Sequence, residues 1–285
     1  MAATTRRIAA ACRWLGVPPA PPVDAVGSSH DHAVTAAGRL RLPRHQDAAR
    51  FAAAKTAFRA LAGEHAPRLL AEIPPLPDLP LGGLLVEHIT GRLPQLPADG
   101  AAIGRALAAL HAHPLDAALA TLPRQSFASL RQEALTATPA LPALRRLQQA
   151  LAAAPAVAEP APVLLLSDCH PGNWLIRASG EAVAVDIDWV ATGPAALDLA
   201  DALHPWAGLF DPRLNRWLTP ADTASVRAAY HPLPPPEALA EAHRLITLRT
   251  CLWLSTAQLG PLTPVRKRVL EWVGRATPLG CTRGL

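Results

Sequence analysis

The spacing of apolar positions changes several times along this chain, and each change predicts an element. Residues 47–64, DAARFAAAKTAFRALAGE, put Phe51, Ala54, Phe58 and Leu61 at helical spacing. Before them, VGSSHDHAVTAAGRLRLPRH (26–45) holds two candidate strands, near 32–36 and 39–43, flanked by small and turn residues. After them, PRLLAEI (67–73) and GGLLVEHITG (82–91) read as two further strands. Residues 26–90 therefore predict a small sheet with one helix. IAAACRWLG (8–16) predicts a short amphipathic helix, cut off from the sheet by the proline-rich break VPPAPPVDA (17–25). Beyond residue 90 the helical period dominates. It predicts helices at 98–114, one or two in 126–152 around Pro139 and Pro142, and others near 195–209, 221–230, 236–256 and 264–275.

One stretch breaks the helical pattern. LLLSDCHPGNWLI (164–176) is a greasy run interrupted by Asp168, His170 and Asn173. Polar groups set beside a core cost free energy unless they are paired or in use, and functional residues concentrate on loops held by a rigid scaffold. The following WLIRASGEAVAVDID carries Ser179-Gly180 between two apolar runs, which predicts a β-hairpin with a two-residue turn. In that register Ile176 faces Val183 and Asn173 faces Asp186, about 5.5 Å apart at Cα. Asp168, five residues upstream of Asn173, can fold back to the same mouth. Two carboxylates and an amide oxygen suit Mg²⁺, a hard cation bound through oxygen and substrate phosphates. Asp168 would then be free to take a proton from a hydroxyl. The bland alternative is a loop-capping Asp with a Pro-Gly turn. Asp188, two residues beyond Asp186 and on the same face of a strand, competes for the metal.

Composition narrows the classes. With 285 residues, 50% hydrophobic and 17% charged, the chain can bury a large core in two lobes. The net charge of +5 favours anionic partners such as nucleotides, but the arginines are scattered, so nucleic acid is not an expected partner. The only lysines are Lys55 and Lys267. Cys12, Cys169, Cys251 and Cys281 show no zinc-finger spacing, and no stretch reads as a signal peptide or membrane span. The expected location is the cytoplasm, with no membrane partner.

The segment SDCHPGNWLI, with AVDIDWVATGPAALDLA after it, resembles the aminoglycoside phosphotransferase and choline kinase-like family. The family pattern is H-G-D-x-H-P-G-N, a hairpin ending in a hydrophobic-Asp-aromatic step, and D-L-A twelve residues after that Asp. Asp198-Leu199-Ala200 stands twelve residues after Asp186. Weaker similarity extends over about residues 26–275. The resemblance implies a two-lobed, protein-kinase-like α+β fold. An N-lobe over 1–90 would hold nucleotide on a small antiparallel sheet with one helix. A mostly helical C-lobe over 91–285 would carry the catalytic loop 166–174, the metal-binding hairpin 173–188 and the substrate helices.

It also implies ATP- and Mg²⁺-dependent transfer of the γ-phosphoryl group to a small-molecule hydroxyl. Asp168 would be the catalytic base, Asn173 and Asp186 the metal ligands, and Asp198 a loop anchor, with His170 structural. Gly27, Ser28 and Ser29 would turn over the phosphates. Glu87, His88 and Ile89 would form the adenine hinge. No lysine precedes Lys55, so Arg41 is the candidate for the basic residue of the nucleotide strand. Its usual glutamate partner falls on Ala54, so Arg41 should be loosely held. Leu166-Ser167 replaces the family's His-Gly. These departures keep open a nucleotide-binding pseudokinase with a regulatory or scaffold role. Trp174, Trp189 and Trp206 are expected in the core.

Overall fold

The computed structural model describes residues 2–23, 30–44, 47–61, 63–210, 214–256 and 263–275. A five-stranded antiparallel sheet forms the N-terminal part. In spatial order it runs β1 (Pro22–Val23), β2 (His30–Thr35), β3 (Gly38–Pro43), β5 (Gly83–Val86), β4 (Leu69–Ile73). β1 is too short to have shown in the period of the sequence.

Pairing of His32 with Arg41 and of Arg41 with Leu84 fixes the two faces of this sheet. Alternation puts His30, His32, Arg39 and Arg41 with Leu84 and Val86 on one face, and Asp31, Ala33, Leu40, Leu42 and Leu85 on the other. The second face is covered by α1 (Ala2–Leu15), whose Ile8, Ala11 and Cys12 join Ala33, Leu40, Leu42 and Leu85 in one buried cluster. Buried Asp31 ties α1 down. It accepts from Thr4 at 2.9 Å and Arg44 at 2.6 Å, and it pairs with Arg7. The amphipathic N-terminal helix is thus part of the sheet layer. On the first face lies α2 (Ala48–Leu61), burying Phe51, Ala54, Phe58 and Leu61 at the predicted spacing.

The rest is mostly helical: α3 (Gly100–His111), α4 (Phe127–Thr136), α5 (Pro142–Ala153), α6 (Ala196–Ala202), α7 (Pro220–Ala229), α8 (Pro236–Thr256) and α9 (Thr263–Arg275). The predicted helix at 195–209 is shorter, ending as α6 before a separate 3₁₀ turn at Ala207–Leu209. α3 and α7 pack closely because Gly104 offers no side chain; a Cβ there would sit 2.2 Å from the Val226 carbonyl oxygen.

Two small ribbons sit under the sheet. β6 (Pro162–Leu165) pairs with β9 (Ala191–Pro194), and β7 (Trp174–Ile176) with β8 (Ala182–Ala184), both antiparallel. Leu164, Leu165 and Leu166 are fully buried, as a strand covered on both faces requires. Among the described residues, no helix is long and apolar enough to cross a membrane.

Candidate active site

β6 ends where the polar loop begins, and a buried carboxylate sets the loop's shape. Asp198, on α6, accepts from the Leu166 amide at 2.6 Å, the Ser167 amide at 2.9 Å and His111 Nε2 at 3.2 Å. This explains one departure from the family pattern. Ser167 has φ +61°, in the left-handed region that favours glycine. Here serine occupies the glycine position, held by Asp198 on its amide and by Gln125 Nε2 on its hydroxyl at 2.8 Å. Asp201, one turn after Asp198, accepts from the Cys169 amide at 2.7 Å. Burial, and next the nearby Asp168 charge, push its pKa up to about 7.

With its backbone anchored from behind, Asp168 leaves its side chain 41% exposed. His170 Nδ1 accepts from the Gly172 amide at 3.1 Å, so its proton sits on Nε2, 3.7 Å from Asp168 Oδ1. The Asn173 side chain closes the loop by donating from Nδ2 to the Asp168 carbonyl at 2.9 Å. That use of the nitrogen leaves Oδ1, the oxygen, available to a ligand.

The hairpin register differs from the sequence expectation by one residue. Trp174 pairs with Ala184 and Ile176 with Ala182, so Asn173 stands opposite Val185, whose amide donates to its carbonyl at 2.8 Å. The cause is the turn. Arg177 pairs with Glu181 around a three-residue loop, with Gly180 at φ +84° supplying the left-handed position. Asp186 therefore leaves the hairpin one step beyond Asn173, in the irregular segment after β8.

Arg41 reaches this segment from β3. Its guanidinium donates to the Val185 carbonyl at 2.8 Å, to Asp186 Oδ1 at 3.1 Å and to Asp188 Oδ1 at 2.8 Å. Its carbon Cζ lies 5.7 Å from the centre of the Phe58 ring. The expectation that Arg41 is loosely held is wrong. Ala54 is buried and carries no carboxylate, but the hairpin supplies the ion pair instead of the helix.

The two hairpin carboxylates divide the work. Asp188 is buried and also accepts from His30 Nδ1 at 2.8 Å. Burial opposes its charge, yet Arg41 and His30 outweigh burial and hold its pKa well below the usual carboxylate range. Asp186 keeps 35% of its side chain open. Even so, desolvation first and then the Asp188 charge raise its pKa to about 6, against the pull of Arg41.

The remaining expected positions fall as follows. Glu87, His88 and Ile89 follow β5 directly; the Glu87 amide is taken by the Arg68 carbonyl at 2.8 Å, His88 is exposed and Ile89 is buried. Gly27, Ser28 and Ser29 lie outside the described residues, in the connection from β1 to β2. Trp174 and Trp206 are core residues, but Trp189 is 50% exposed and stacks under Arg50 of α2, whose Cζ lies 3.5 Å from the ring centre. Sequence reasoning missed His30, Arg50 and Asp201. The alternating His30-Asp31-His32 of β2 was the one available signal, since it puts two polar side chains on the Arg41 face.

Comparison with known proteins agrees with this architecture. Residues 28–230 match the model of a phosphotransferase enzyme family, and the chain belongs to that family. It is therefore a phosphotransferase acting on small molecules. No curated protein matches the chain by sequence. Among solved structures it is similar to a choline/ethanolamine kinase family protein from Mesorhizobium loti, with 16% identity over 96% of each chain and a TM-score of 0.62. An aminoglycoside 2'-phosphotransferase-IIIa variant bound to GDP shares 16% identity over 95% of each chain, with a TM-score of 0.68. A spectinomycin phosphotransferase bound to ADP and spectinomycin shares 12% identity over 97% of this chain and 95% of that one, with a TM-score of 0.66. At these identities the likeness speaks for the fold: an antiparallel N-terminal sheet over a helical C-terminal part.

Proposed function

We propose that this enzyme moves the γ-phosphoryl group of ATP to a hydroxyl of a small molecule, with Asp168 as the base. The observation that carries the reading is the exposed Asp168 carboxylate on a loop locked by buried Asp198. Rigid backbone with an open carboxylate is what a positioned proton acceptor needs. A loose phosphoryl-transfer transition state leaves the protein mostly positioning and charge neutralisation to supply. Two of the similar structures hold a nucleoside diphosphate, which favours a nucleotide donor.

The donor set fits Mg²⁺. Asn173 has a spare amide oxygen and Asp186 a partly open carboxylate, both oxygen donors. Mg²⁺ held by Asn173 and Asp186 would supply positive charge to the phosphates. Arg41 binds phosphate while orienting Asp186 from behind. The Glu87–Ile89 backbone reads the base. In this reading residues 1–90 hold the nucleotide and 91–285 the acceptor, in the cytoplasm.

A phosphate-transfer screen with ATP and Mg²⁺ over amino alcohols, sugars and antibiotics tests the proposal. Wild-type enzyme should turn over one class, and Asp168→Asn should lower kcat by about 10²–10⁴ while still binding ATP. ATP binding without transfer to any acceptor would favour the scaffold role. Wild-type kcat in the variant would remove Asp168 as the base.

A further inference from the structure

Away from the loop at Asp168, two helix ends converge. The chain leaving α2 turns at Glu64, whose amide donates to the Leu61 carbonyl at 2.8 Å, and continues to His65. The chain leaving α3 turns at His113, whose amide donates to the Leu110 carbonyl at 3.1 Å. Glu64 Oε2 lies 3.9 Å from His65 Nε2 and 3.8 Å from His113 Nδ1. The two imidazoles meet edge to face, ring centres 5.6 Å apart at 86°. One donor atom from each of the three side chains lies within 4.8 Å of the other two.

We propose that Glu64, His65 and His113 bind a divalent transition metal of the zinc class. Imidazole suits zinc, copper and nickel, whereas magnesium prefers oxygen alone, so this site would not compete for the ion at Asn173 and Asp186. Two imidazoles and one carboxylate form a known three-ligand set that leaves one position for water. Tetrahedral zinc with bonds of about 2.0–2.1 Å needs donors about 3.4 Å apart. The observed separations from Glu64 therefore require shifts of less than an ångström. Glu64 is 67% exposed, while His65 and His113 keep only 18% and 17% of their side chains exposed.

The surroundings favour a cation. α2 and α3, helices of 14 and 12 residues, both end here, and helix C-termini carry partial negative charge. The His65 carbonyl accepts from the Ala184 amide at 3.2 Å, so the corner is already docked on β8. A bound metal would cross-link the end of α2, under the N-terminal sheet, to the end of α3 in the helical part.

Zinc titration by calorimetry, in buffer holding excess Mg²⁺, tests the site, with thermal melts alongside. Wild-type protein should bind one Zn²⁺ per chain and gain about 3 °C or more in Tm at saturation. His113→Ala and His65→Ala/His113→Ala should each weaken binding at least about 10-fold and lose the Tm gain. His113→Gln, closer in size, guards against a folding defect and should behave as His113→Ala does. Wild-type zinc affinity in the double variant, no saturable binding in wild type, or displacement of zinc by Mg²⁺ would each overturn the proposal.

Discussion

Arg41 and Asp188 form a buried ion pair at 2.8 Å, joining the α2 face of the sheet to the segment after the β7–β8 hairpin. His30 holds the other oxygen of Asp188, and Asp186 shares the guanidinium. A β-strand arginine thus finds its carboxylate on the hairpin, where the family's basic residue uses a helix glutamate. Burying two charges is costly, and a buried pair is weak evidence for net stability. Its consequence here is positional, because the same guanidinium fixes both Asp186 and the Val185 carbonyl.

Arg41→Ala should therefore do two things at once. It takes the guanidinium away from buried Asp188, at a cost of about 3 kcal/mol, and, on the proposed function, it removes a phosphate contact. Melts should show the stability loss, and kinetics over a range of ATP concentrations should show a raised KM with lowered kcat. Arg41→Lys keeps the charge but not the fork, so it should recover stability better than kcat. Unchanged ATP kinetics in Arg41→Ala would take this residue out of the site.

Asp186 and Asp188 should separate cleanly on substitution. Asp186 is the more open and the less compensated, so Asp186→Ala should abolish the Mg²⁺ dependence of ATP binding with little loss of fold stability. Asp188→Ala removes a buried carboxylate from both Arg41 and His30 and should cost about 3 kcal/mol, with only partial weakening of metal dependence. Metal titrations and melts on the two variants decide the matter. The reverse pattern would assign the metal to Asp188.

Ser167 gives a local test of backbone strain. At φ +61° a side chain costs about 1 kcal/mol relative to glycine, and the hydroxyl's bond to Gln125 returns a comparable amount. Ser167→Gly loses the bond and the strain together and should stay within about 0.5 kcal/mol of wild type. Ser167→Ala loses the bond and keeps the strain, so it should fall about 1 kcal/mol below Ser167→Gly. Denaturant midpoints that rank alanine at or above glycine would sink this account.

The residues around Asp168 were legible from the sequence because their chemistry is local. An Asp, a His and an Asn on one loop between apolar runs mark a candidate site, and the family resemblance, taken with the two-lysine count, singled out Arg41. Features that depend on chain geometry or on distant contacts were not legible. Whether Ser179-Gly180 closes a two- or three-residue loop depends on which residue takes the left-handed position, and the answer shifts Asn173 from Asp186 to Val185. His30 reaches Asp188 across 158 positions of the numbering, and nothing local predicts that. Trp189 was expected in the core by size, but Arg50 covers one face and leaves the rest open.

His243 offers a pH test independent of the active site. It is buried, and neither ring nitrogen has a hydrogen-bond partner. Burial, and next the charge of Arg227, lower its pKa to about 4, while the ring of His204 lies 6.0 Å away. The unfolded chain takes up a proton near pH 6.5 and the folded chain does not until about pH 4, so the unfolded state binds more protons between those values. Stability is then fully present above pH 6.5 and is lost as pH falls toward 4. For this residue alone the loss from pH 7 to pH 5 is about 2 kcal/mol. His204, also lowered by burial, acts in the same direction, while Asp201, raised to about 7, acts in the opposite one. Both groups remain in His243→Leu, so the difference between that variant and wild type isolates His243. Denaturation at pH 7 and pH 5 should show wild type losing about 2 kcal/mol more than His243→Leu. Equal losses would mean that the His243 ring is protonated, or wetted, in the folded protein.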